Sequence, residues 1–514
     1  MKKYIKFLSV CLIGSVAITA CKKSFLDVNP KGTDLESNYY KNQEEAFNGL
    51  VAIYDVVGWQ GGGDLTKVNA MDAGSDDHYA GGGSATDISD LQVFSNYTLN
   101  QNIGPSSELW RAGFSGVFRA NVLLTKLADV PMDDALKARY AAEAKALRAY
   151  FYFDLVRLFK NVPLLTTGVA ADQIDQVEQA APEEVYAQIE QDLKDAIAES
   201  TLPNTVDIAT EGGRFTKGTV HALLGKVYLY EKKYAEAASE FALVNGTPGQ
   251  PNATYGYNLV SNFADLWKTS NKFNSESILE IGHSSKSGGN WDCTACTEGN
   301  LLNIMVGPRG YEAVKPGAPD LTSGWSFLPI TPDLFNAIHN DPRNAATVLN
   351  MDSLQAAGVA KYSAGYMNTG FFINKFAGHL SDKTTGGGAQ ELNYPQNMYE
   401  IRLADTYLME AEALVMGSGD VNRATQLLTA VHTRAYNDGK PHPVVATMDA
   451  IKRERRLELA AEGHRWFDLV RWGDAPTVLK SKGFVAGRNE ILPIPQNDLN
   501  NTKIQQSKEW GGTK

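Results

Sequence analysis

The sequence predicts a mainly α-helical protein with a loop-rich lobe, carrying short strands, inserted between its helical parts. Three observations carry this. Apolar residues recur at helical spacing over Glu44 to Val57, Leu109 to Leu127 and Asp133 to Phe159, and the same texture returns after Asn397. Between Asn245 and about Asn397 it gives way to glycine, proline, asparagine and aromatics, with strand-like pieces such as SILEIG and GFFINKF. At 514 residues, 43% apolar and 21% charged, the chain has an ordinary globular balance and enough length for a large core or two fused lobes.

The first element is a leader. Residues 1–20 show Lys2, Lys3 and Lys6, an apolar run from Phe7 to about Ala17, and small residues before Cys21. The run is short for a bilayer span, and Ile18-Thr19-Ala20-Cys21 has the layout of a bacterial lipoprotein cleavage box. Cleavage makes Cys21 a lipidated N-terminus, and residues 21–40 read as a tether; the alternative is a plain secretory signal with an incidental cysteine. Loss of three lysines takes the net charge from -11 to -14. No other stretch approaches 18 uninterrupted apolar residues, so the anchor is the expected membrane contact. The acidic balance gives no general attraction to nucleic acid.

Residues 41–244 read as a helical scaffold, 245–397 as the inserted lobe and 398–514 as returning helix with a wrapping tail. Within the first part, residues 58–100 are glycine-rich and acidic without sustained period, which predicts a long loop free to carry ligand-binding groups. HALLGKVYLYEKKYAEAASEF matches a tetratricopeptide helix pair, with Leu224, Gly225, Tyr228, Ala237 and Phe241 at its expected places. A degenerate copy follows at Leu408, Ala411, Ala424 and Leu428, with Glu412 where the glycine belongs. The scaffold is therefore expected to be tetratricopeptide-like.

Catalytic grammar is sparse: there is no H-E-x-x-H, G-x-S-x-G or phosphate loop, although a carboxylate pair distant in sequence stays open. Ile451 to Gly473, IKRERRLELAAEGHRWFDLVRWG, concentrates charge, but Glu454, Glu458 and Glu462 lie four apart among arginines, the spacing of ion pairs along one helix, while Leu457, Leu459, Trp466, Leu469 and Trp472 supply a buried side. It reads as structure, with an arginine–carboxylate fork fixing how the helix docks. Cys293 and Cys296 form a C-x-x-C that can close a disulfide clip; free thiols remain possible, and zinc would need two further ligands. Asp72, Asp76, Asp77, Asp87 and Asp90 do not match the calcium-loop spacing and read as solvated acids. No metal or cofactor is expected.

Four blocks resemble the SusD/RagB outer-membrane lipoproteins of Bacteroidetes: the cleavage box with CKKSFLDVNPKG; EAKALRAYFYFDLVRLFKNVPL; PEEVYAQIEQDLKDAI with GRFTKGTVHALLGKVYLY; and ADTYLMEAEA leading to ERRLELAAEGHRWFDLVRWG and LPIPQNDL. The resemblance implies a non-catalytic protein that captures oligo- or polysaccharide and passes it to a SusC-like TonB-dependent transporter, lipid-anchored at the outer membrane and facing outward. Lys22 and Lys23 follow Cys21 where surface-displayed members often carry acids, so outward display rests on the resemblance alone. Peptide capture, as in RagB-like members, and glycoside hydrolysis are the alternatives. Sugar recognition wants exposed aromatic faces flanked by carboxylates, amides or arginine. The resemblance places such groups on loops of two regions, giving Trp59, Asp76, Asp77, His78 and Tyr79 from the first and Asn290, Trp291, Arg309, Tyr311 and Trp325 from the insert. Trp291 is the leading candidate, because a Cys293–Cys296 ring would stiffen it before binding.

Overall fold

The computed structural model describes residues 39–514 apart from Thr385 and Asn501. The leader, Cys21 and most of the tether lie outside the described residues. The scaffold is a run of antiparallel helices: α1 (Gln43–Gly62), α4 (Ser106–Leu127), α5 (Asp134–Phe159), α6 (Pro182–Ala198), α7 (Lys217–Tyr230), α8 (Tyr234–Asn245), α10 (Leu403–Met416) and α11 (Val421–Tyr436). Each packs on the next in that order, and α12 (Met448–Glu458) lies on α10. Three shorter helices also bear on the site: α2 (Lys67–Gly74) and α3 (Ser89–Ser95) follow α1, and α9 (Pro332–Ile338) lies in the middle of the chain.

Local chemistry sets the ends. The Asn42 side chain accepts from Glu45 N–H at the start of α1, Asp133 from Leu136 N–H at α5, and Thr447 from Ala450 N–H at α12, each satisfying an otherwise orphaned donor. The expected tetratricopeptide pair is α7–α8. A Cβ on Gly225 would lie 2.9 Å from the Phe241 ring, so only glycine lets these helices cross. In the second pair, α10–α11, Glu412 replaces that glycine and accepts from Arg471 and from Trp472 Nε1, so a carboxylate acts as a tie instead of a close crossing.

The middle of the chain supplies short antiparallel pairs: β1 (Ser277–Ile281) with β6 (Met398–Arg402), β2 (Glu312–Ala313) with β4 (Ala360–Lys361), and β3 (Val348–Asn350) with β5 (Phe371–Ile373). Leu321, Leu349, Met351, Ala360, Phe372 and Ala377 form a small core of their own beside the main helical core.

Two expectations are corrected. Residues 58–100 are not one long loop: α1 continues to Gly62, and α2 and α3 follow, leaving residues 75–88 irregular. The sequence hid α2 because every one of its residues is buried, so no polar face marks a period. Ile451–Gly473 is not one helix either. α12 ends at Glu458, Ala461 and Gly463 take left-handed backbone (φ 66° and 75°), and α13 (Arg465–Trp472) starts afresh. Its glutamates consequently pair across the fold and not along the helix. Glu458 accepts from Arg402 (2.6 Å), Arg343 (2.9 Å) and Arg434, while Glu462 accepts from Arg402 and Lys375, both at 2.8 Å. Burial opposes the charge on Glu458, but three guanidinium groups hold its carboxyl far below the ordinary range.

Candidate functional site

The site begins with two short 3₁₀ turns over Trp291–Cys296 that break at Cys293 (φ -147°, ψ 86°), and Cys293 and Cys296 are disulfide-bonded, the clip left open above. Cys293 N–H donates to Asn290 C=O at 3.1 Å. Upstream, the buried Asn393 side chain accepts from Gly289 N–H (3.1 Å) and donates to Gly289 C=O (3.0 Å), pinning the backbone two residues before Trp291. Nothing in the sequence near Asn393 signals this role, since a lone asparagine in a loop has many uses.

Trp291 leaves 51% of its surface exposed, a large apolar face turned to solvent. Trp325 lies nearly parallel to it, with ring centroids 6.0 Å apart and planes inclined by 28°. The Trp325 backbone is fixed by a strap: Trp325 N–H donates to Ile304 C=O, Ser326 N–H to Gly307 C=O and Phe327 N–H to Met305 C=O, at 2.8–2.9 Å. Gly307 and Gly324 make that approach possible, because a Cβ on Gly324 would fall 2.3 Å from Gly307 Cα.

Beside the pair sits Arg309. Its Nη2 donates to Trp325 C=O at 2.9 Å and lies 3.9 Å from Asp87 Oδ2, and Nε has no partner among the described residues. Asp87 in turn accepts from Gly83 N–H at 2.7 Å, and Gly82 links Ser326 to Tyr366 through Gly82 N–H to Ser326 C=O and Tyr366 N–H to Gly82 C=O, both 2.8 Å. Five chain segments thus contribute to one partly exposed face, with Asn290 and Trp291, Trp325, Arg309, Asp87 and Tyr366. Tyr366, exposed with its neighbour Met367, was missed by sequence reading because its stretch resembles any polar loop.

Asp76, Asp77 and His78 are turned into the interior and are not open to a ligand at this face. Asp77 and His78 are buried, and Asp76 is nearly so. Arg465 grips Asp76 in a two-bond fork (2.8 and 2.9 Å), and Arg456 donates to Asp77 (2.8 Å) and to Asp333 on α9 (2.6 Å). Asp76 and Asp77 are thus paired with arginines in the interior and are not the solvated acids expected, while Asp333 lies at the surface. Burial works against Asp76, yet the two arginines hold its carboxyl below the usual range, whereas burial raises Asp77. Burial also pushes His78 down to about 3, so its imidazole is neutral, and Nδ1 hydrogen-bonds Leu328 C=O. Lys482, pushed down to about 7 by burial, donates to the carbonyls of Ala73, Ser75 and His78. Together these residues rivet the underside of the segment whose continuation, Tyr79 to Asp87, reaches the face. Tyr79 is half-buried, with its N–H on Pro329 C=O. Tyr311 packs on the small core and donates to Pro319 C=O at 2.5 Å. Trp59 is on α1, with Arg111 and Arg119 guanidinium groups 4.9 and 5.3 Å from its ring centroid. No group of three or more His, Cys, Asp or Glu among the described residues is arranged to hold a metal ion.

Comparisons with known proteins agree with this architecture. Residues 315–483 match the family described as "SusD family" and residues 25–229 match "Starch-binding associating with outer membrane". The chain is 52% identical to a solved structure titled "Laminarin binding SusD-like protein", covering 91% of this chain and 99% of that one with a TM-score of 0.87. It is 26% identical to surface glycan-binding protein A from Bacteroides thetaiotaomicron in complex with laminarihexaose, over 89% of this chain and 97% of that one, TM-score 0.78. A SusD-like protein, P38, from Formosa agariphila is 24% identical over 99% of both chains. With two family matches spanning more than half its length and a relative sharing half its residues, the chain belongs to the SusD family.

Proposed function

We propose that this protein captures a β-glucan of the laminarin type on the Trp291–Trp325 face and does not cleave it. The observation that carries the reading is the exposed, near-parallel tryptophan pair held by a clip and a strap. Sugar rings present apolar C–H faces that stack on such rings, and Arg309, Asp87 and Asn290 stand at the margin with donors and acceptors for the hydroxyls. The laminarin named for the 52% identical relative, and the laminarihexaose bound by the Bacteroides thetaiotaomicron protein, support the choice of glucan. The cleavage box at Cys21 and the outer-membrane association named for the matched family support a lipid-anchored protein at the cell surface, handing its catch to a SusC-like TonB-dependent transporter. The test is retention of the mature chain in laminarin affinity gels while reducing ends in a laminarin solution are counted. Retention with a constant count is expected; a rising count, or no retention, overturns the reading.

A further inference from the structure

A groove with a volume of about 700 Å³ runs beside α4. It is lined by Phe114 and Phe118 of α4, by Ile174 and Val177 from the segment after α5, and by Ile504 of the tail. Phe118 and Ile174 each leave 56% of their surface exposed. Folded proteins seldom leave a grouped apolar surface bare unless something lies on it. None of these residues belongs to the tryptophan face. The turn that carries Ile174 also brings exposed Asp172 and Asp175, with Glu178 just beyond it, against Lys503 at 3.5 Å from Glu178. Asp498 borders the groove as well, and the Arg111 guanidinium beside it is paired with Glu108. The rim therefore has acid to spare.

The chain itself holds a matching segment. Residues 21–38 precede the first described residue, Tyr39, and their one apolar cluster is Phe25, Leu26 and Val28, directly after the basic pair Lys22 and Lys23. The matched family region starts at residue 25, so this stretch travels with the folded domain, as a docked segment does and a bare spacer does not. Reach is sufficient. Arg119 of α4 donates to Asp55 of α1 at 2.6 Å, and Arg111 lies over Trp59, so the two helices run antiparallel and α1 starts beside the end of α4. Phe118 is nine residues before Leu127, the last residue of α4, which is roughly 14 Å along the axis. The eleven residues from Val28 to Tyr39 span up to about 36 Å when extended. A segment tied to its own groove this closely meets it at an effective concentration of order mM, which favours it over a free partner.

We propose that this groove is the docking site of the chain's own tether, which lays Phe25, Leu26 and Val28 on the apolar lining and turns Lys22 and Lys23 towards the acidic rim. Four residues separate Phe25 from Cys21, so docking holds the groove side of the body within about 14 Å of the anchor instead of letting the body swing on a long leash. What the tryptophan face binds does not enter. The experiment places p-benzoylphenylalanine at position 25 of the mature chain carrying Cys21→Ser, irradiates it and maps the cross-linked peptides by mass spectrometry. Intramolecular cross-links to residues 107–121, 163–177 or 497–504 are expected. Phe118→Asp with Ile174→Asp, both at exposed positions, is expected to cut their yield at least about 5-fold with the melting temperature unchanged. Leu26→Ser with Val28→Ser, which leaves the body untouched, is expected to do the same. Cross-links to any other part of the body, cross-links between two chains, no cross-link, or a yield indifferent to the serine pair overturns the proposal.

Discussion

Trp291 and Trp325 are where recognition is most directly open to test. Trp291→Ala removes the more exposed ring, and laminarin affinity should fall by about 1–3 kcal/mol, the scale of losing a principal aromatic contact. Titration calorimetry checks the affinity, and an unchanged melting temperature shows that the scaffold survives. Sequence reading named both tryptophans as loop aromatics of the insert, Trp291 ahead because it adjoins a C-x-x-C, and the structure sets their rings side by side; it took Asp76, Asp77 and His78 for open loop groups because an acidic cluster looks the same whether solvated or paired with arginines almost 400 positions away. A further residue-scale expectation concerns pH. His464 is half-buried, and loss of solvation pushes its imidazole down to about 4, below the ordinary 6.5. Between these values the unfolded chain binds a proton that the folded chain refuses, so this histidine's contribution is complete above pH 6.5 and is lost as pH falls towards 4. Urea unfolding of wild type and His464→Gln should therefore show the wild type losing stability relative to the variant between pH 7 and pH 5.

Elements carry the next set of consequences. The Trp291–Cys296 clip holds its tryptophan through one covalent ring and the Asn393 clamp. Replacing both cysteines with serine should weaken laminarin binding less than Trp291→Ala does, because the ring face is retained and only its preorganisation is reduced. Calorimetry of the two variants side by side decides this, and equal losses would mean that the clip is the contact itself. α13 offers the contrasting case. Arg465→Ala strips the fork from Asp76 and leaves this largely buried carboxylate to Arg456 alone, so stability should fall by about 3 kcal/mol before recognition changes, read as a lower melting temperature. The long helix α4 was legible from its spacing and Gly225 from its place in the repeat; α5 was legible as a helix, but it is buried nearly all round from Ala146 to Phe159 and is not the amphipathic helix its spacing suggested. The break between α12 and α13 was not, since only Gly463 marks it and Ala461 adopts a left-handed backbone that alanine rarely takes.

For the molecule as a whole, the buried charge network is what joins distant parts of the chain. Glu276 beside β1, Arg402 at the end of β6, Arg434 on α11, Arg343 after α9, Lys375 after β5 and the α12 glutamates meet in one interior cluster. Glu458→Gln leaves three guanidinium groups short of a counter-charge, and stability should drop by about 3–5 kcal/mol, measured as a lower urea midpoint. A drop confined to the first helices would contradict this. The helical class and the glycine-rich middle followed from composition and period, but the convergence of these residues did not. It depends on which segments meet in space, and charge order along a chain says nothing about that.

The strap that presents Trp325 is fastened from behind by main-chain bonds: Trp325 to Ile304, Ser326 to Gly307, Gly82 to Ser326 and Tyr366 to Gly82. Peptide groups do not change when a side chain is exchanged. Positions 291, 325 and 366 can therefore be swapped without disturbing the frame that aims them, so what the face presents can change through a few outward residues while the backbone behind it stays put.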